Sequence, residues 1–302
     1  MQFPSSATST AVVLGLASAA FYGVADALAG TVARTVGVRR SVFFYQALGL
    51  LVIGSFVVFS VFDGRLTGLP GASAMIWGLA IVGALTTLSG SVSFSRALLH
   101  GNAGVVAPIM TCYGAITTVL SLLTGEVLGV VQLLGLVVCM IGVPLIASGV
   151  DDAAHPHGAA HARRAVGWAL TSAVLYGVGF WIEGRFVLPV LGALPLLVIS
   201  YMVGTTVLGA SFARRSGNET PHRNVPTWAW GLMLVTGLLA LAGLTSIAAG
   251  AQTGALSVVT VLSTLSAVVT TVVGLMRGER MTRWQWSGLA AVMLGVGMLR
   301  VV

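Results

Sequence analysis

The chain has 302 residues, 57% of them hydrophobic and only 8% charged, with 15 arginines, no lysine, 8 acidic residues and a formal net charge of +7. A soluble domain carries roughly 25% charged residues, so this surface cannot be covered for water and its outer solvent is lipid. The arginines stand at the ends of apolar runs, not in a stripe interleaved with aromatics, which excludes a nucleic-acid surface.

A helix crossing the hydrocarbon needs about 20 mostly apolar residues. Ten segments meet that length: 11–33, 41–62, 73–96, 103–124 and 131–149, then 166–188, 192–213, 227–250, 255–276 and 284–301. Residues 1–10 lack a positive n-region, and the apolar stretch after them is too long for an h-region, so the first run is expected to be a span, not a cleaved signal. Strict alternation is missing throughout, which argues against strands. The 39 glycines suit close helix packing in a bilayer.

The first span carries Tyr22, Asp26 and, two turns further on, Arg34. An acid inside hydrocarbon costs about 2.5–3.5 kcal/mol on insertion scales and needs a reason. The second span offers Tyr45 and Gln46, the third Ser91, Ser93 and Ser95, the fourth Tyr113, as possible cavity lining. Arg96 and His100 close the third span, where they can snorkel to the interface or mark a cavity mouth for an anion. Cys112 and Cys139 lie in apolar segments at a spacing that matches no metal or redox motif.

Between the fifth and sixth spans runs the longest polar stretch of the middle, Asp151 to Arg164. It contains His155, His157 and His161 among alanines, with Pro156 and Gly158, and reads as a solvated hinge and not a metal site. The sixth span carries Tyr176, Phe180 and Glu183, with Phe180 and Tyr176 at i−3 and i−7 from the acid, and Trp181 as a further possible lining residue of a cavity.

The chain repeats itself. Gly125-Glu126 and Gly278-Glu279 close equivalent runs 153 positions apart. At that offset Ser93 meets Ser246, Thr117-Thr118 meets Thr270-Thr271, Gln132 meets Gln285 and Gly142-Val143 meets Gly295-Val296. Near the front of each half Tyr22-Gly23-Val24 lies over Tyr176-Gly177-Val178. The expected domains are a first five-helix repeat, 11–149, a hinge, 150–165, and a second repeat, 166–301. An odd number of spans per half makes the second half enter the membrane from the opposite side. The expected fold is therefore all-α and integral to the membrane, ten helices in two inverted five-helix repeats, with a shared cavity near the midplane.

These features resemble the drug/metabolite transporter superfamily in its EamA-type ten-helix branch. The resemblance rests on the tail of each half: Pro108, Gly125, Glu126, Gly135 and Gly142-Val143, then Gly278, Glu279, Gly288 and Gly295-Val296, with Val261 where a second proline would stand. It implies a secondary-active transporter, often an exporter, of small solutes such as amino acids, metabolites or drugs, in the plasma (bacterial inner) membrane. It also implies both termini in the cytoplasm. Against that, 12 of the 15 arginines flank the odd-numbered loops, which by the positive-inside rule puts the termini outside.

Gly125 and Gly278 read as helix stops, and Glu126 and Glu279 as acids placed for the N-terminus of the following helix, where Thr282 and Gln285 have capping-box spacing. Asp26 and Glu183 lie one turn out of register across the repeat, each on a face with aromatics. Tyr22, Asp26, Tyr176, Phe180 and Glu183 are thus the candidates for substrate binding or proton coupling. Aromatics with an acid suit a cationic or amphipathic solute. The expected partners are a small-molecule substrate, the bilayer and protons. No cofactor is expected, for no phosphate-binding loop is present, and no nucleophile–His–acid set suggests an enzyme. A non-transporting membrane sensor or assembly protein, or a membrane-embedded lipid-modifying enzyme, are the rival classes.

Overall fold

The computed structural model describes residues 5–63, 71–125, 129–148, 159–213, 225–251, 262–263 and 265–299. Among them the structure is all helical. The first half comprises α1 (Ser5–Val36), α2 (Val38–Phe62), α3 (Ala74–His100), α4 (Ala103–Thr111), α5 (Tyr113–Leu123) and α6 (Val130–Ser148). The second comprises α7 (Ala159–Ile182), a π-helical turn (Glu183–Val187), α8 (Leu188–Leu191), α9 (Ala193–Ala213), α10 (Thr227–Ala251), α11 (Ser266–Met276) and α12 (Arg283–Leu299). In lipid a backbone must satisfy its own hydrogen bonds, and long apolar runs do so only as helices.

Seven helices among the described residues are long and apolar enough to cross a membrane: Val12–Val36, Val38–Phe62, Ala74–His100, Ala103–Leu123, Ala160–Leu191, Ala193–Phe212 and Thr227–Ile247. Ser266–Met276 is a shorter apolar helix. Of the expected span 255–276, residues 255–261 and 264 lie outside the described ones. The expected spans 131–149 and 284–301 correspond to α6 and α12, which pack along each other. There a Cβ on Gly142 would stand 2.7 Å from Val292 Cγ2 and 3.0 Å from the Gly288 carbonyl, so this glycine contact lies within one chain. The sixth span starts earlier than its hydropathy suggests. Ala159, Ala160 and Ala162 are strong helix formers and carry α7 back to Ala159, while 149–158 lie outside the described residues.

The fourth span bends where Pro108 sits inside α4. Cys112 then takes an αR conformation at ψ −3°, and its N–H turns back to the Ile109 carbonyl at 3.2 Å. Proline lacks an N–H, so the Gly104 carbonyl loses its usual helical donor. The Thr271 hydroxyl of the second half donates to that carbonyl at 3.4 Å.

Each half is built into the other. Helix α1 packs on α10 and α11, and its counterpart α7 packs on α3 and α5. Helix α2 packs on α9, α6 on α12, and α4 on α11. Exchanging the halves turns the packing of α1 on α10 and α11 into that of α7 on α3 and α5, and it leaves the α2–α9 and α6–α12 pairs unchanged, down to single bonds. Thr117 Oγ1 donates to the Gly177 carbonyl at 3.0 Å, and Thr270 Oγ1 donates to the Gly23 carbonyl at 3.0 Å. A Cβ on Gly90 would meet the Tyr176 ring at 3.1 Å, and one on Gly243 would meet the Tyr22 ring at 2.7 Å. Small residues let these backbones approach, and the interior is rich in buried alanines such as Ala80, Ala97 and Ala169. Large apolar side chains point outward instead: Phe62 is 87% exposed, Met276 82% and Leu123 78%.

Candidate functional site

The interdigitated halves leave a cavity of about 490 Å³ between α1, α2, α3, the α4–α5 bend, α7, α9 and α10. All five tyrosines of the chain line it: Tyr22, Tyr45, Tyr113, Tyr176 and Tyr201. Asp26 and Glu183 line it as well. Among the described residues its lining contains no arginine and no histidine, so the fixed charge available to a ligand is acidic.

The local sequence explains these placements. Asp26 follows Tyr22 by one helical turn, so both share one face of α1. Tyr22 is held where Gly243 leaves room for its ring. The phenols of Tyr22 and Tyr176 stand within electrostatic reach of the Asp26 carboxyl. Arg34, two turns on, does not turn back to Asp26: its Nη1 donates to the Leu98 carbonyl at 2.7 Å.

On the other side of the cavity, Tyr176 and Phe180 stack at 5.3 Å with 23° between ring planes. Tyr113 meets Phe180 edge-on at 5.1 Å and Tyr176 at 6.3 Å. Glu183 opens the π-helical turn, and π-turns re-aim side chains relative to an α-helix. Its stem crosses Gly83 of α3, where a Cβ would stand 2.7 Å from Glu183 Cγ. The Thr87 hydroxyl nearby donates to the Gly83 and Ala84 carbonyls, both at 3.1 Å, while Glu183 Oε1 is buried without a hydrogen-bond partner. A buried polar atom left open in this way is costly unless something else engages it.

Of the sequence candidates, Tyr22, Asp26, Tyr45, Gln46, Ser91, Ser95, Tyr113, Tyr176, Phe180 and Glu183 share this cavity. Trp181 does not line it; its ring meets Phe186 edge-on at 5.3 Å, because the next position along α7 turns by about 100°. Ser93 points into the helix packing and donates to the Ser89 carbonyl at 2.8 Å. Tyr201, Thr87, Ser200 and Thr236 line the cavity too and were not among the candidates. Tyr201 faces Tyr45 across the α2–α9 contact, ring to ring at 6.0 Å. Its sequence signal was the scarcity of tyrosine in the chain.

Gly125, Gly278 and Glu279 do not line this cavity. Gly125 and Gly278 both have left-handed backbones, with φ of 86° and 89°, as a helix stop requires. Thr282 and Gln285 form a reciprocal capping box, with Thr282 N–H donating to Gln285 Oε1 at 2.9 Å and Gln285 N–H to Thr282 Oγ1 at 3.4 Å. Glu279 does something the local reading missed. Its carboxylate accepts the Ala103 N–H at 3.3 Å and the Gly104 N–H at 3.1 Å. It therefore caps α4 of the opposite half and not the helix that follows it. Any helix N-terminus suits an anion, and the fold brings a distant one closer. Glu126 lies outside the described residues, as do His155 and His157. His161 faces His100, ring to ring at 5.6 Å, and no group of metal-binding side chains occurs among the described residues.

Comparison with known proteins agrees with the doubled architecture. The model of the EamA-like transporter family matches the chain twice, over residues 9–148 and 163–301. No curated protein matches the chain with significance. A solved structure, described only as the crystal structure of a protein, superposes with a TM-score of 0.57 at 15% identity. The match covers 96% of this chain and 96% of that one, a likeness of fold.

Proposed function

We infer the function from one premise: the chain belongs to the EamA-like transporter family and is therefore a multi-pass membrane transporter of the drug/metabolite type. It is a secondary-active carrier, most simply an exporter, of a small cationic or amphipathic organic solute across the plasma membrane. It uses ten spans in two inverted halves that rock about the shared cavity. The exchange symmetry of the packing supports this arrangement, for two equivalent halves around one site can open alternately to either side.

One observation carries the substrate class. The cavity holds two acids and five tyrosines with no base among its described lining residues. Carboxylates attract a cation, and tyrosine faces add cation–π contact. Asp26 and Glu183 take substrate, a proton, or each in turn, since an acid in a dry cavity can exchange one positive partner for another. Tyr22, Tyr113, Tyr176 and Phe180 form the aromatic walls, and Glu183 Oε1 offers an acceptor that lacks a protein partner.

The test is transport by the purified protein in vesicles under an imposed pH gradient, across a panel of organic cations and neutral solutes. Asp26→Asn keeps shape and removes the charge, and is expected to abolish gradient-driven accumulation while the protein stays inserted. Glu183→Gln is expected to do the same or to weaken substrate binding by about tenfold or more, the loss of one charged hydrogen bond. If both variants transport within about twofold of wild type, these acids are structural. If the wild type moves nothing in the panel, a sensor or assembly role takes precedence.

A further inference from the structure

A second recess, of about 520 Å³, lies apart from the tyrosine-lined cavity, where α1, α3 and α9 end and α2 begins, beside the flank of α7. The start of α2 contributes Arg39 and Arg40, the end of α3 contributes Arg96 and His100, α7 contributes Trp168 and α9 contributes Phe212. No acidic residue is among its described lining residues. His100 has further basic neighbours in His161 and Arg164. Like charges gathered at one place repel one another, and the arrangement is favourable when an anion sits among them.

The guanidinium groups are oriented, not loose. Arg96 lies over the Trp168 ring at 4.7 Å. Arg39 lies over the Phe212 ring at 5.4 Å, and its Nη2 donates to the Ser211 carbonyl at 3.1 Å. Stacking on a ring fixes the plane of a guanidinium fork, and Arg96 presents that fork at the exposed rim. Arg40 and Arg96 remain exposed at the rim. The recess stands at the ends of the apolar spans Val38–Phe62, Ala74–His100 and Ala193–Phe212, the depth at which lipid headgroups lie. A basic hollow between helix ends at that depth matches a phosphate group, and a guanidinium fork binds phosphate oxygens in pairs.

We propose that this recess is a binding site for a phosphate-bearing anion, held by Arg40 and Arg96 with Arg39 alongside. The phosphate can belong to an anionic phospholipid in the surrounding leaflet or to a soluble organic phosphate. Neither source depends on the central cavity or on what that cavity carries.

The experiment uses the full chain purified in a neutral detergent. In one arm it is offered equal amounts of phosphatidylglycerol and phosphatidylcholine, and the retained lipid is counted by native mass spectrometry. In the other arm glycerol phosphate is added, alone and in competition with the lipid. Wild type is expected to retain phosphatidylglycerol about tenfold over phosphatidylcholine, the ratio that one charge-assisted contact supplies. The preference should fall as salt is raised. Displacement of the lipid by glycerol phosphate at similar concentration identifies a soluble phosphate as the ligand; lipid retention that glycerol phosphate does not affect identifies the headgroup. Arg40→Gln with Arg96→Gln should bring the preference close to unity, and the matching lysine pair, which keeps charge but loses the fork, should hold an intermediate value. Should the glutamine pair not fold, the exposed single change Arg40→Gln and the salt titration of wild type decide. Equal retention of the two lipids together with no binding of glycerol phosphate overturns the proposal. So does a wild-type preference that survives the substitutions or high salt.

Discussion

Replacing Glu279 by glutamine separates a cap that joins the halves from a merely local turn. The carboxylate accepts two N–H groups, Ala103 at 3.3 Å and Gly104 at 3.1 Å, at the first turn of α4. Glutamine keeps one oxygen but sets an NH₂ donor against the other N–H, so one bond to a charged acceptor is lost. Such bonds contribute about 1.5–3 kcal/mol, and an anion at a helix N-terminus contributes about 0.3–1 kcal/mol more. Glu279 is partly exposed, which lowers both figures, so the expected loss is roughly 2 kcal/mol. The assay is reversible unfolding in mixed micelles followed by circular dichroism, with Glu279→Asp as a control that keeps charge on a shorter stem. Glutamine should destabilise more than the size of the change suggests, and Ala103 and Gly104 amides should exchange with solvent faster. If Glu279→Gln unfolds within about 0.5 kcal/mol of wild type, the size of an ordinary surface substitution, the carboxylate does not hold α4 and the reasoning fails.

The remaining predictions use the same contacts. Gly243→Ala would place a Cβ 2.7 Å from the Tyr22 ring and Gly90→Ala one 3.1 Å from the Tyr176 ring, so both should push a tyrosine into the cavity. The first should cost more of the roughly 1–3 kcal/mol typical of overpacking, read as lower substrate affinity and a lower unfolding midpoint. Gly278→Val forces a β-branched residue to φ near 89° with no clash around it. It should lower folded yield through backbone strain of about 1–3 kcal/mol while substrate affinity is kept in the protein that survives; full yield with lost transport would contradict a turn role. Thr282→Ala removes one arm of the capping box and should cost about 0.5–2 kcal/mol, measured as a lower unfolding midpoint with unchanged substrate affinity.

Much of the site was legible because a membrane chain cannot hide polar residues. Asp26 and Glu183 were conspicuous in apolar runs, and the repeat paired Tyr22-Gly23 with Tyr176-Gly177 before any packing was known. Those pairs meet equivalent partners in the fold, Gly243 and Thr270 for one and Gly90 and Thr117 for the other. Trp181 turns to Phe186 while Tyr201 lines the cavity, and hydropathy distinguishes neither placement for a common reason. In water the apolar face of a helix marks its interior, but lipid is as apolar as a core, so hydropathy does not say which side faces in. Phe62, Met276 and Leu123 are more exposed than Tyr201, which is only 6% accessible.

The sequence by itself determined what each residue could be asked to do locally: long apolar runs became helices, glycine took the left-handed turns, and Thr282 capped the helix it begins. These depend on neighbours a few positions away, and hydropathy, propensity and spacing encode them. Only the tertiary structure decided which half each group serves. Glu279 caps a helix 176 residues distant, and Thr271 takes up the carbonyl that Pro108 leaves open, 167 residues away. Five tyrosines scattered from Tyr22 to Tyr201 converge on one cavity. Such partners are chosen by the register in which two related halves interlock, and that register depends on close packing summed over many small residues, which no single segment of the chain carries.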